Sequence, residues 1–167
     1  IPFVSANLFD KKSGKRVFEP YIIIERPPFK VGIIGVTNLL PEKVTELAME
    51  NYLQVGKSFI GKLKRKADII VMLVNAEKKE RSLIKKEFED ADYIFLSREI
   101  QKTRQSQAQG AAPLIYSPGK QGKYLAVIDL KIVNLDSPFV DVSYFKKKVK
   151  NAETRIANYK KKEPEKS

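Results

Sequence analysis

The stretch from Ala67 to Glu80, ADIIVMLVNAEKKE, does most to limit what this chain can fold into. Its centre, Ile69 to Val74, is short, apolar, rich in β-branched residues and bounded by charge, the pattern of a buried strand. Such a strand needs cover on each face of its sheet, which points to an α/β domain. The strand gives way to a loop at Asn75, and the loops at strand ends of this kind are where α/β proteins place their chemistry.

The flanking segments extend that picture. Pro2 to Ala6 reads as a strand, Asp10, Lys12, Ser13 and Gly14 as a turn, and Val17 to Ile24 as a second strand forming a hairpin with the first. Pro27 and Pro28 interrupt, and Phe29 to Val36 gives a third strand ending in Gly35-Val-Thr-Asn38. Pro41 suits the first turn of a helix carrying Val44, Leu47 and Ala48. A second helix, about Lys57 to Lys66, places Phe59, Ile60 and Leu63 on one face; a third, Arg81 to Glu89, buries Leu83, Ile84 and Phe88. Strands follow at Tyr93 to Leu96, Pro113 to Tyr116 and Tyr124 to Val133, with Gln101 to Gly110 as a polar loop and Gly119 and Gly122 in a hairpin connection. The expected architecture is a layered mixed β-sheet with flanking helices, followed by a C-terminal helix. The domain should span 1–135, with 136–167 a linker and a basic amphipathic helix ending in a charged tail.

Composition excludes several kinds of chemistry. With no Cys there is no disulfide, thiolate nucleophile or sulfur metal site. With no His, the commonest general base and the commonest zinc ligand are absent from the whole sequence. No apolar run approaches the roughly 20 residues of a membrane-spanning helix. The chain opens on Ile-Pro-Phe-Val with neither an initiator Met nor a leader pattern, which points to a processed or truncated product.

The net charge of +12 is uneven: Lys146 to Lys166 holds nine basic and three acidic residues, half of the excess. In the same region Phe145, Val149, Ala152, Ile156 and Tyr159 recur at spacings of four and three, a seam suited to a partner helix. This helix either docks on its own domain or meets a coiled-coil partner, an anionic membrane surface or nucleic acid. Nucleic acid has the least support, because no base-reading or base-stacking motif accompanies the charge.

A set of motifs then carries a resemblance. Pro2-Phe-Val-Ser-Ala-Asn-Leu8, Gly14-Lys-Arg-Val-Phe-Glu-Pro-Tyr21, Lys30-Val-Gly-Ile-Ile-Gly-Val-Thr37, Ala67 to Val74, and Gly119 to Leu130 occur in order. Together they resemble the later part of the metallophosphatase domain of the 5'-nucleotidase family, within the calcineurin-like phosphoesterases. The resemblance covers about residues 1 to 135.

That family implies two metal ions, held by Asp-x-His, Gly-Asp and Gly-Asn-His-Glu motifs that precede the segment matching Ile1. It implies a further ligand His after the strand resembling Asp68 to Val74, where this chain has Asn75. It also implies a Gly-His-x-His pair after the strand resembling Tyr93 to Leu96, where Ser97-Arg98-Glu99-Ile100 stands. The three ligand positions are therefore Asn75, Arg98 and Ile100, none able to replace an imidazole. Neither an activated water nor a clamp on the transferred phosphoryl group survives without ions, so no catalytic residue, metal or cofactor is expected.

Each position also has a simpler role. Asn75 is better read as a turn residue satisfying backbone groups at a strand end than as a metal ligand, and Arg98 as a surface or salt-bridging side chain than as a phosphate binder. Read instead as an anion site, Arg98 and Asn75 would sit where a metal once sat.

Three functions follow. The leading one is a catalytically inert relative of the metallophosphatase domain, kept as a structural or protein-interaction module. Against it stand a fragment of a working enzyme completed by a missing segment or partner chain, and a basic polyanion-binding module. Half a sheet exposes an apolar face and an edge, so pairing with another chain or with itself is expected. The resemblance implies a periplasmic or extracellular setting.

Overall fold

The computed structural model describes residues 2–99, 102–103, 112–119, 122–134 and 137–162, and Ile100 lies outside them. Its centre is a five-stranded mixed sheet in the order β2 (Tyr21–Arg26), β3 (Phe29–Thr37), β5 (Ile69–Asn75), β6 (Tyr93–Leu96), β7 (Leu114–Tyr116). β2 and β3 are antiparallel, joined across Pro27-Pro28 with Arg26 opposite Phe29; every later pair is parallel. A separate ribbon pairs β1 (Leu8–Asp10) with β4 (Leu47–Met49).

The parallel pairs require crossovers, and two helices supply them: α1 (Tyr52–Leu63) between β3 and β5, and α2 (Arg81–Glu87) between β5 and β6. Asn51 caps α1, its Oδ1 accepting from the backbone N–H of Leu53 and Gln54 at 3.0 and 3.1 Å. Both helices cover one face of the sheet. Phe59, Ile60 and Leu63 of α1, with Ile84 and Phe88 at α2, close over Ile34, Val36, Ile70, Met72, Val74, Ile94 and Leu96. The alternation of a strand decides which residues these are, since successive side chains point to opposite faces. Gly56 lets the helices meet: a Cβ there would stand 2.6 Å from the Phe88 ring.

The second face is covered differently. Ile69, Tyr93 and Leu114 pack against Ile128, Ile132 and Phe139, which arrive on the segments 122–134 and 137–142 rather than on a helix. The rings of Tyr93 and Phe139 lie 5.4 Å apart. These segments line an open cavity of about 1390 Å³, and Leu125, Val127 and Val133 are 73 to 87 % exposed. The final element is α3 (Ser143–Lys162).

Several expectations are corrected. The turn at Asp10 to Gly14 forms, with Asp10 Oδ1 accepting from both the N–H and the hydroxyl of Ser13 at 2.7 Å and Gly14 at φ 66°. The hairpin it was expected to close is reduced to two isolated bridges, Phe9 antiparallel to Arg16 and Val4 parallel to Glu19, and β2 pairs with β3 instead. No helix follows Pro41; Leu47 and Ala48 belong to β4, held by β1, and the helix starts only where Asn51 can cap it. Leu83 is exposed rather than buried. The strand expected at Tyr124 to Val133 has β-like composition but no strand partner among the described residues. Of the loop expected at Gln101 to Gly110, only Lys102 and Thr103 lie within the described residues.

Candidate functional site

Parallel strands bring their C-terminal ends to one edge of the sheet, and the loops after β3, β5 and β6 meet there. Register sets Thr37 opposite Asn75 and Val74 opposite Leu96, so Ser97 follows immediately beside Asn75. Asn75 occupies the middle of this edge and spends its side chain on both neighbours. Its Nδ2 donates to Thr37 Oγ1 at 2.9 Å and its Oδ1 accepts from Ser97 Oγ at 2.6 Å. Thr37 continues inward, its hydroxyl donating to Leu39 O at 2.9 Å. The amide of Asn75 thereby ties three strand ends together.

A second polar group lies behind this stitch. Asn38 Nδ2 donates to both Glu80 carboxylate oxygens at 2.8 and 2.9 Å. Arg81, the first residue of α2, forms an ion pair with Glu99 at 2.6 Å and donates to Ile115 O at 3.1 Å. Glu99 is buried, so its charge depends on Arg81 for compensation. Tyr52, also buried, has its phenol pushed up to about 12, first by burial and then by the Glu80 carboxylate.

Asn7 is the buried counterpart on the other side of β3. Its Nδ2 donates to Thr37 O at 2.7 Å and Glu50 O at 2.9 Å, and its Oδ1 accepts from Thr37 N–H at 3.0 Å. The N-terminal segment runs so close here that a Cβ on Gly35 would lie 2.2 Å from Val4 O. Any side chain at 35 would push it off.

Arg98 follows Ser97 with its backbone at φ 62°, a conformation non-glycine residues adopt at a cost of about 1 kcal/mol or more. Its side chain is exposed. It contributes, after Lys79, to holding the Glu77 carboxyl below its ordinary value. The structure therefore sets Asn75 and Arg98 on adjacent strand ends, but the Asn75 amide is engaged within the protein.

Two divalent ions do not fit these residues. The Asn75 oxygen is taken by Ser97, Glu80 by Asn38 and Glu99 by Arg81, while Arg98 adds a fixed positive charge. Among the described residues no three Asp or Glu side chains converge as a metal ligand group.

Sequence reasoning named Asn75 and Arg98 but missed Asn7, Glu80, Arg81 and Glu99. Their partners lie 18 to 43 residues away, and no periodicity encodes such pairings. The remaining candidates, Phe145, Val149, Ala152, Ile156 and Tyr159, all fall on α3, far in sequence from this edge and exposed.

No known protein-family profile matches the chain. Among curated proteins, it is 33 % identical over 82 residues to a 5'-nucleotidase of Vibrio cholerae, covering 44 % of this chain and 15 % of that protein. It is 31 % identical over 78 residues to Protein UshA of Escherichia coli, covering 42 % and 14 %. The chain thus spans about a seventh of the length of these relatives. A solved putative 5'-nucleotidase from Staphylococcus aureus superimposes with a TM-score of 0.56 at 18 % identity, over 71 % of this chain and 27 % of that one. The sulfate thiohydrolase SoxB of Thermus thermophilus gives 0.57 at 16 %, over 70 % and 22 %. At those identities the likeness is one of fold. The chain is thus similar in sequence to part of the 5'-nucleotidases over about 80 residues and shares the α/β fold of these solved structures.

Proposed function

We propose that the chain is a catalytically inert 5'-nucleotidase-like module that serves a structural or protein-interaction role. The supporting observation is the engagement of Asn75, where the family resemblance calls for a metal-binding His: both ends of its amide are committed to Thr37 and Ser97. Without ions, neither nucleophile activation nor charge neutralisation at phosphorus is available. Asn75, Arg98 and Ile100 are then vacated ligand positions, and Arg98 at most attracts an anion. We take 1–135 as the sheet domain and 136–167 as linker and basic helix, and place the protein in the periplasm or outside the cell by analogy with the resembled family.

Purified chain incubated with manganese or zinc and either nitrophenyl phosphate or AMP should show no metal-dependent turnover. Turnover that requires metal and disappears on Asn75→Ala would overturn the proposal.

A second reading rests on the exposed apolar side chains of Leu125, Val127 and Val133. They favour a module completed by another polypeptide that covers the outer side of segment 122–134. Sedimentation as a monomer that binds no anilinonaphthalene sulfonate would remove its basis.

A further inference from the structure

Helix α3 runs 20 residues, about 30 Å, and carries eight basic residues against the single acid Glu153. Its apolar side chains Phe145, Val149, Ile156 and Tyr159 are 52 to 65 % exposed, so the helix is not docked on the sheet. At 3.6 residues per turn, Phe145, Val149, Ala152, Ile156 and Tyr159 fall within an arc of about 80°. That is narrower than a face built to lie on a globular core, and its alternating steps of four and three are the a and d positions of two heptads. Val149 and Ile156 take a; Phe145, Ala152 and Tyr159 take d.

The flanking e and g positions decide the partner. They are Lys146, Lys148, Glu153, Arg155, Lys160 and Lys162, five cations and one acid. In a parallel pair with a second copy, Lys148 would face Glu153 but Arg155 would face Lys160; in an antiparallel one, g cations would face g cations. Two such helices would also bring eight cations each into one coil. Within α3 itself Lys146 and Lys150 stand four apart as like charges, and no α3 cation forms an ion pair among the described residues. A helix of this kind gains little from its own side chains, and an opposing row of carboxylates relieves the repulsion.

The root of α3 is fixed. Asp141 accepts from Ser143 N–H at the start of the helix and from the Tyr116 hydroxyl of β7, each at 2.8 Å, so the seam is presented from the edge of the sheet.

We propose that α3 is one strand of a heterotypic coiled coil, and that its partner is an acidic amphipathic helix with apolar a and d residues and Glu or Asp at e and g. This does not depend on whether the sheet domain is catalytic. The intact 167-residue chain should be titrated into a fluorescent synthetic peptide of about three heptads, with Leu at a and d and Glu at e and g. Saturable one-to-one binding with a gain in helicity is expected, weakening about tenfold for Ile156→Ser and for the Lys148→Glu, Arg155→Glu pair. Both changes lie on an exposed face, and an unchanged melting temperature confirms that the sheet domain is intact. Equal binding to a scrambled peptide of the same composition would overturn the proposal, leaving charge attraction alone. So would Ile156-dependent capture by phosphatidylserine vesicles without peptide binding, or an Ile156-dependent dimer of the chain by itself.

Discussion

At the residue scale, the outcome at each strand end depends on whether a polar side chain finds its partner inside the protein. Arg81 and Glu99 show this most sharply, because Glu99 is buried and its compensation comes from one guanidinium. Arg81→Met should destabilise the fold by about 3 kcal/mol, whereas the double change Arg81→Met, Glu99→Leu should recover most of that loss in urea unfolding. The Asn75 bridge is less buried, and Asn75→Ala should cost about 1 kcal/mol, read from the same unfolding midpoint. Gly56→Ala should cost about 1 to 3 kcal/mol by driving a methyl group into the Phe88 ring. Of these residues only Asn75 is legible as a site position, because it ends an apolar run; nothing in the local sequence pairs Arg81 with Glu99, which only the fold joins.

Among the elements, α3 depends on its anchor. Burial opposes the charge on Asp141, but hydrogen bonds from Ser143 and Tyr116 outweigh it and hold the carboxyl below its ordinary 3.8. Burial, then the same contact with Asp141, pushes the Tyr116 phenol up. A depressed carboxyl contributes stability that is complete above the ordinary value and drains away as the pH falls through the depressed one. Acid titration should therefore loosen the α3 root below about pH 4. In Asp141→Asn the acid-dependent part of that loss should vanish, as followed by hydrogen exchange at Ser143. The elements that local pattern revealed were those with strong periodicity, such as β3, β5, β6, α1 and α3. The supposed helix after Pro41 failed because Val44, Leu47 and Ala48 satisfy helical spacing without a cap, and pairing with β1 outweighs that propensity.

For the whole molecule, the two faces of the sheet are unequal. One is sealed by α1 and α2, while among the described residues the other is covered by the irregular segments 122–134 and 137–142, which leave apolar side chains exposed. Exposed apolar area of that kind drives association, so the chain should bind anilinonaphthalene sulfonate and self-associate as salt screens its charge of +12. Light scattering of Leu125→Ser, Val133→Ser against the unaltered chain checks this: the variant should stay smaller at raised salt.

The sequence by itself determined the α/β class, the buried strands, the basic C-terminal helix and the absence of imidazole and thiol ligands, because periodicity and composition are local properties of a chain. Tertiary structure alone decided that β2 pairs with β3, that Asn75 is held between Thr37 and Ser97, and that Glu99 is neutralised by Arg81. The side-chain contacts join residues 18 to 38 positions apart, and only the closing of the sheet brings them within hydrogen-bonding reach.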